Sequence, residues 1–364
     1  MIKYEKEPLT IENSLPNGNY EVTLTIKAHC DTVYDVYSQN RRFIVQDRKI
    51  RKGEEQEIKF IANVSDIKYS NKDFKDTGVR IYIASDGDIT AISAVSPIEV
   101  PTLYIIGDST VTDQPSEYPY DMERTYCGWG QMMPMLMDNS IAVSNHAESG
   151  STTQATKDNN YTVIDSKIKK GDYLMIEFGH NDQKIPELDA FGGYLENLRY
   201  FVNAAREKGA IPVLNSPINR IIFDENGKIF NLLGEYRDAV KSVADEMNVP
   251  FIDMWTATTN FFEPLGLYTS KKYFRHDEES QDYTHSNDIG GGIIARLCAK
   301  AIADANIDGL SQAIKQDMLY IEKPVVSPDA PKESNAHEFT RLKTIGMGSV
   351  PADFDADISD FQNK

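Results

Sequence analysis

Five short stretches, TLYIIG (102–107), IAVSNHA (141–147), DYLMIEFG (172–179), AIPVLNSPI (210–218) and VPFIDM (249–254), restrict the fold more than anything else in this chain. Each is apolar at successive positions rather than at alternate ones, the mark of a strand covered on both faces. Between and after them run helical patterns, clearest in GGYLENLRYFVNAAREKG (192–209), LGEYRDAVKSVADEMN (233–248) and GGIIARLCAKAIADAN (291–306). Strand and helix in alternation predict an α/β fold, a three-layer α/β/α sandwich with a parallel sheet and a ligand crevice at the carboxyl ends of the strands.

Before Pro101 the rhythm is different. From Asn19 to about Val100 the chain reads as short β-rich segments, among them NYEVTLTIKA, RRFIVQD, QEIKFIANV and GVRIYIAS, parted by polar or glycine-containing turns. They predict a small β-sandwich over residues 1–98, and the two prolines of SPIEVPT mark the boundary. The α/β unit is then expected over 99–318. From 319 to 364, proline and charge without periodicity predict an extended tail.

Net charge is −18, from 56 acidic and 38 basic residues spread along the chain, which argues against nucleic acid and anionic membrane as partners. The start, MIKYEKEPLT, lacks the apolar run of a secretion signal, and a cytoplasmic protein is expected, although a secreted mature form would read the same way. Three cysteines, far apart and without Cys-x-x-Cys spacing, suggest neither a disulfide framework nor a zinc site.

Chemistry-bearing residues gather where strands end. Ser109, in IIGDSTV, follows the first strand of the α/β unit. Gly-Asp-Ser arises by accident in roughly one chain in ten of this length, so it needs company. NHAESGSTTQ (145–154) offers Gly150, where a backbone N–H can approach a ligand closely. EFGHND (177–182) offers Asn181 as a neutral donor. QDYTHSNDIGG (281–291) places Asp282 and His285 three apart before the last helix.

These pieces suit acyl transfer. A serine hydroxyl is a weak nucleophile until an imidazole takes its proton, and the imidazole needs its other nitrogen held. Ser109, His285 and Asp282 supply those parts, and Ser109 N–H, Gly150 N–H and the Asn181 amide supply donors for an oxyanion. His180 and Trp129 are weaker candidates for substrate contact, with core packing as the competing reading, and His146 and Glu148 read as structural. The acid- and histidine-rich blocks also admit a metallohydrolase, but no Asp-x-His stands on the first strand and no metal or other cofactor is expected. A non-catalytic carbohydrate-binding protein is the remaining alternative.

GDS after the first strand, a glycine block, GHND and Asp-x-x-His together resemble the SGNH (GDSL-type) hydrolase superfamily. More narrowly, IIGDSTV, GWGQ (128–131), NHAESG, EFGHND and DYTHSN resemble the rhamnogalacturonan acetylesterases, across residues 101–305. The resemblance implies a flavodoxin-like catalytic unit and a serine esterase that removes O-acetyl groups from pectic oligosaccharides by way of an acyl-enzyme. Acetyl-xylan esterase or a broader carboxylesterase is the alternative within the fold. Where family members often carry Gly-Arg-Ser, this chain reads SGSTTQ, so a basic residue is absent there. The net negative charge points the same way, toward short oligosaccharides rather than a long galacturonate polymer.

Overall fold

The computed structural model describes residues 2–322, 324–326 and 329–338, so most of the expected tail lies outside the described residues. Five strands, β1 (Thr102–Gly107), β2 (Ala142–Asn145), β3 (Tyr173–Glu177), β4 (Ile211–Asn215) and β5 (Phe251–Ile252), form one parallel sheet in the order β2-β1-β3-β4-β5. This is the doubly wound, flavodoxin-like order, whose topological switch lies between β1 and β3.

Its layers follow from the period-2 alternation of strand side chains. Leu103 and Ile105 of β1 face one apolar core with α4 (Met254–Phe262) and α5 (Asp288–Asp304). Tyr104 and Ile106 face the other, with α2 (Gly193–Glu207) and α3 (Gly234–Met247). A short α1 (Thr153–Asp158) follows β2. Local chemistry sets the helix ends: Asp253 caps α4 by accepting from Thr256 N–H at 3.1 Å, and left-handed Asn248 closes α3.

The amino-terminal region is antiparallel. Strands Ile89–Pro97, Gly18–Ala28 and Glu55–Val64 form one sheet, and Leu9–Ser14, Gly78–Ala84, Thr32–Ser38 and Arg42–Ile50 another. Val22, Leu24 and Ile26 from the first share a core with Tyr34, Val36, Ile81 and Ile83 from the second. The turn between Thr32–Ser38 and Arg42–Ile50 reaches into the α/β unit, where Arg41 and Arg42 are both buried.

Candidate active site

Gly107 ends β1 and turns the chain sharply. A Cβ there would come within 2.8 Å of the Glu177 carbonyl and 2.7 Å of a Val111 methyl, so only glycine lets β1 and β3 lie this close before the turn. Asp108 then folds the loop on itself: its Oδ1 accepts from Thr110 N–H at 3.0 Å and from the Thr110 hydroxyl at 2.8 Å. Ser109 stands on this turn at the carboxyl edge of the sheet.

His285 comes from Gln281–Ser286, a strand paired antiparallel with Phe274–His276. Its Nε2 lies 2.8 Å from Ser109 Oγ, across 176 residues of sequence, and its Nδ1 lies 2.8 Å from Asp282 Oδ2. The three-residue spacing has a local cause, because Asp282 Oδ1 accepts the backbone N–H groups of Thr284 (2.6 Å) and His285 (2.8 Å). The carboxylate therefore grips both the backbone and the ring of the histidine. Burial pushes the Asp282 carboxyl up, but the His285 charge and these hydrogen bonds outweigh it and hold the group below the ordinary carboxylate range. With a carboxylate on Nδ1, that nitrogen carries the proton and Nε2 turns its lone pair to the serine. The ring of Tyr126 meets the imidazole edge-on at 5.8 Å.

Gly150 adopts φ +77°, a left-handed conformation that favours glycine, and a Cβ there would meet nothing within 4 Å. The space beside its backbone is open. Asn181 follows β3 on the neighbouring loop; its Nδ2 donates to Ser151 O at 3.0 Å while Oδ1 accepts from Lys184 Nζ at 2.9 Å. An amide NH2 has two donors, and the Ser151 bond uses one. So the glycine loop and the Asn181 loop are tied to each other beside Ser109.

The sequence reading missed how many acids lie beneath this rim. Asp182 Oδ1 accepts Thr153 N–H (2.9 Å) and hydroxyl (2.6 Å), fixing the start of α1; burial, only partly offset by those bonds, lifts its carboxyl to about 7. Glu177 is pushed well above its ordinary value by burial and then by the charge of Asp108. His180 lies 3.4 Å from Asp108, with no hydrogen bond formed between them. Contiguity of these acids with the motif residues in GDST and EFGHND was the signal available.

Two proposed substrate contacts need correction. Trp129 is 0% exposed, and its indole N–H donates to Glu177 Oε2 at 3.1 Å. His180 is 2% exposed and faces Asp108. A side chain without surface has none to offer a sugar, and both instead pack the floor of the site. His146 is buried, and Glu148 accepts from Ser70 of the β unit.

The model of the GDSL-like lipase/acylhydrolase family matches residues 105–291, from β1 through Ser109 and His285 to the start of α5. The chain belongs to that family. It is a carboxylic ester hydrolase with the SGNH fold, as the sequence motifs imply. Rhamnogalacturonan acetylesterase RhgT of Bacillus subtilis (strain 168) is 36% identical over 221 residues, 58% of this chain and 92% of that protein. Probable rhamnogalacturonan acetylesterase YesY of the same organism is 32% identical over 219 residues, covering 59% and 98%. Among solved structures, protein YxiM of Bacillus subtilis superposes with a TM-score of 0.53 at 24% identity, covering 82% of this chain and 81% of that one. An alignment of that extent reaches into the antiparallel amino-terminal region, so the likeness in fold is not confined to the α/β unit.

Proposed function

We propose that this esterase removes acetyl groups from acetylated rhamnogalacturonan oligosaccharides through an acyl-enzyme on Ser109. The observation that carries the chemistry is the unbroken chain Ser109 Oγ, His285, Asp282, with both links at 2.8 Å. Ser109 attacks the acetyl carbonyl as His285 Nε2 takes its proton, and Asp282 steadies the imidazolium. The oxyanion is met by Ser109 N–H, Gly150 N–H and Asn181 Nδ2. Collapse breaks the bond to the sugar oxygen, which takes the proton from His285 and leaves as a hydroxyl. Water, deprotonated by the same imidazole, then attacks the acetyl-serine, and the second collapse releases acetic acid as His285 returns the proton to Ser109 Oγ.

The substrate rests on the relatives named above, and a second feature agrees with an oligosaccharide. A cavity of about 600 Å³ between the β unit and the loop after Ser109 is lined by Asn40, Tyr69, Phe74, Tyr82 and Tyr118, among others. Aromatic faces beside amide groups suit sugar rings, which are apolar on their faces and hydroxylated at their edges. Acetate release by wild type and Ser109→Ala is compared on acetylated rhamnogalacturonan oligosaccharides, acetylated xylan oligosaccharides and a small aryl acetate. Wild type is expected to act fastest on the first and Ser109→Ala on none. Faster release from xylan overturns the substrate, and turnover by Ser109→Ala overturns the nucleophile. Phe74→Ala is expected to lower kcat/KM more for a long oligosaccharide than for the aryl acetate; equal effects remove the cavity from the substrate path.

A further inference from the structure

The turn between strands Thr32–Ser38 and Arg42–Ile50, together with the first residue of the second strand, carries two buried arginines, Arg41 and Arg42, into the α/β unit. Arg41 sends Nη1 and Nη2 to the two carboxylate oxygens of Asp288, each at 2.8 Å, Nε to Gln114 O at 2.8 Å and Nη2 also to Tyr126 O at 2.8 Å. Gln114 lies on the serine loop and donates its side chain toward Ser109 O at 3.4 Å. Tyr126 touches the His285 ring, and Asp288 opens α5 three residues after His285. One guanidinium thus joins the serine loop to both sides of the histidine.

Arg42 makes the matching connection on the other side. Its Nε meets Asp113 Oδ2 at 2.8 Å on the serine loop, and Nη1 and Nη2 meet Val143 O (3.2 Å) and Asn145 O (3.0 Å) at the end of β2, which leads to Gly150. Ser70 of the β unit adds N–H and hydroxyl bonds to Glu148 at 2.8 and 2.9 Å.

The turn itself is strained and pinned. Gln39 and Arg41, neither of them glycine, have φ of 54° and 58°. Gln39 Nε2 bonds to Asp76 (2.8 Å) and Gly78 O (3.1 Å), and Arg41 O accepts from Gln131 at 2.9 Å. Burying two guanidinium ions carries a desolvation cost of order what their pairing returns, and apolar packing would dock the two units at least as well. What apolar packing lacks is direction, whereas a planar fork fixes the orientation of every acceptor around it.

From this geometry we infer that Arg41 and Arg42 are positioning residues of the esterase, and that the β unit completes the active site by holding the serine, Gly150 and His285 loops in register. The inference rests on the reading of Ser109 as nucleophile.

The test uses the full chain with Arg41→Lys, Arg41→Ala, Arg42→Lys and Ser109→Ala. Each is assayed on a small aryl acetate, with active sites titrated in the variants that keep Ser109, Ser109→Ala referred to folded protein by circular dichroism, and melting followed in parallel. Arg41→Lys keeps the charge and loses the fork, which keeps the test informative where Arg41→Ala fails to fold. The expected result for Arg41→Lys is a kcat lower by ~10- to 100-fold, the cost of a misaligned reacting group, with KM within about twofold. The pH profile of kcat is expected to move as well. Wild-type kcat per titrated site in folded Arg41→Lys and Arg42→Lys overturns the inference while Ser109→Ala stays inert. Turnover by Ser109→Ala instead overturns the nucleophile and this inference with it.

Discussion

Two aspartate–histidine pairs flank Ser109. In the first, Asp282 holds His285 Nδ1 at 2.8 Å and the opposite nitrogen meets Ser109 Oγ at 2.8 Å. In the second, Asp108 lies 3.4 Å from His180 Nδ1, and neither ring nitrogen of His180 has a hydrogen-bond partner among the described residues. Both histidines are buried to a similar degree, so burial does not separate them. What differs is continuity: one pair ends on a hydroxyl and the other ends in packed protein. Burial, with Asp108 only partly opposing it, lowers His180 below the ordinary histidine value. Asp108 is held down to about 2, against burial, by His180 and the Thr110 donors. A carboxylate beside an imidazole is therefore not a proton relay until something stands at the far nitrogen.

Substitutions that treat the pairs alike should separate them. His285→Ala is expected to lower kcat by ~10⁴-fold or more, because among the described residues no other base is bonded to Ser109. Asp282→Asn keeps the shape but reverses the preferred tautomer, and a loss approaching ~10⁴ is expected. Asn181→Ala should cost ~10²–10³ in kcat if its amide meets the oxyanion. His180→Ala is expected to change kcat by less than ~10-fold while lowering Tm more than His285→Ala does, since it empties a packed site. Steady-state kinetics and melting curves on the four variants check this. A loss at His180 equal to that at His285 breaks the distinction.

Most of the first pair could be read from the sequence and almost none of the second. Ser109, Asp282 and His285 lie in short motifs at strand ends or helix entries, where topology brings chemistry together. The parallel sheet was legible because doubly covered strands leave contiguous apolar runs. Trp129 was not legible, because a tryptophan in CGWGQ looks the same whether its indole faces a sugar or Glu177. Nor were Arg41 and Asp288, 247 residues apart, since nothing local in a β turn reports what its tip will touch. Hydrophobic period gives elements and their faces; buried polar contacts between distant elements carry no period.

Acids around the two pairs also predict opposite responses to pH. Asp282 and Asp108 both sit below the ordinary carboxylate value, so the stability they contribute is complete above the unfolded pKa of ~3.9 and is lost as pH falls through their folded values. Asp182, lifted to about 7, runs the other way. Between pH ~4 and 7 the folded chain keeps a proton there that the unfolded chain has released, so stability falls as pH rises through that window. Asp182→Asn preserves the oxygen that accepts from Thr153 and is neutral throughout. Its amide group replaces Oδ2, which has no hydrogen-bond partner, so any cost of burying that amide is the same at every pH. The Tm of Asp182→Asn minus that of wild type should therefore climb by a few degrees between pH 5 and 8, whatever its value at pH 5. A difference that stays level across that range would mean that Asp182 is already ionised at pH 5, and that the acid beneath the glycine loop is held by its hydrogen bonds rather than raised by its burial.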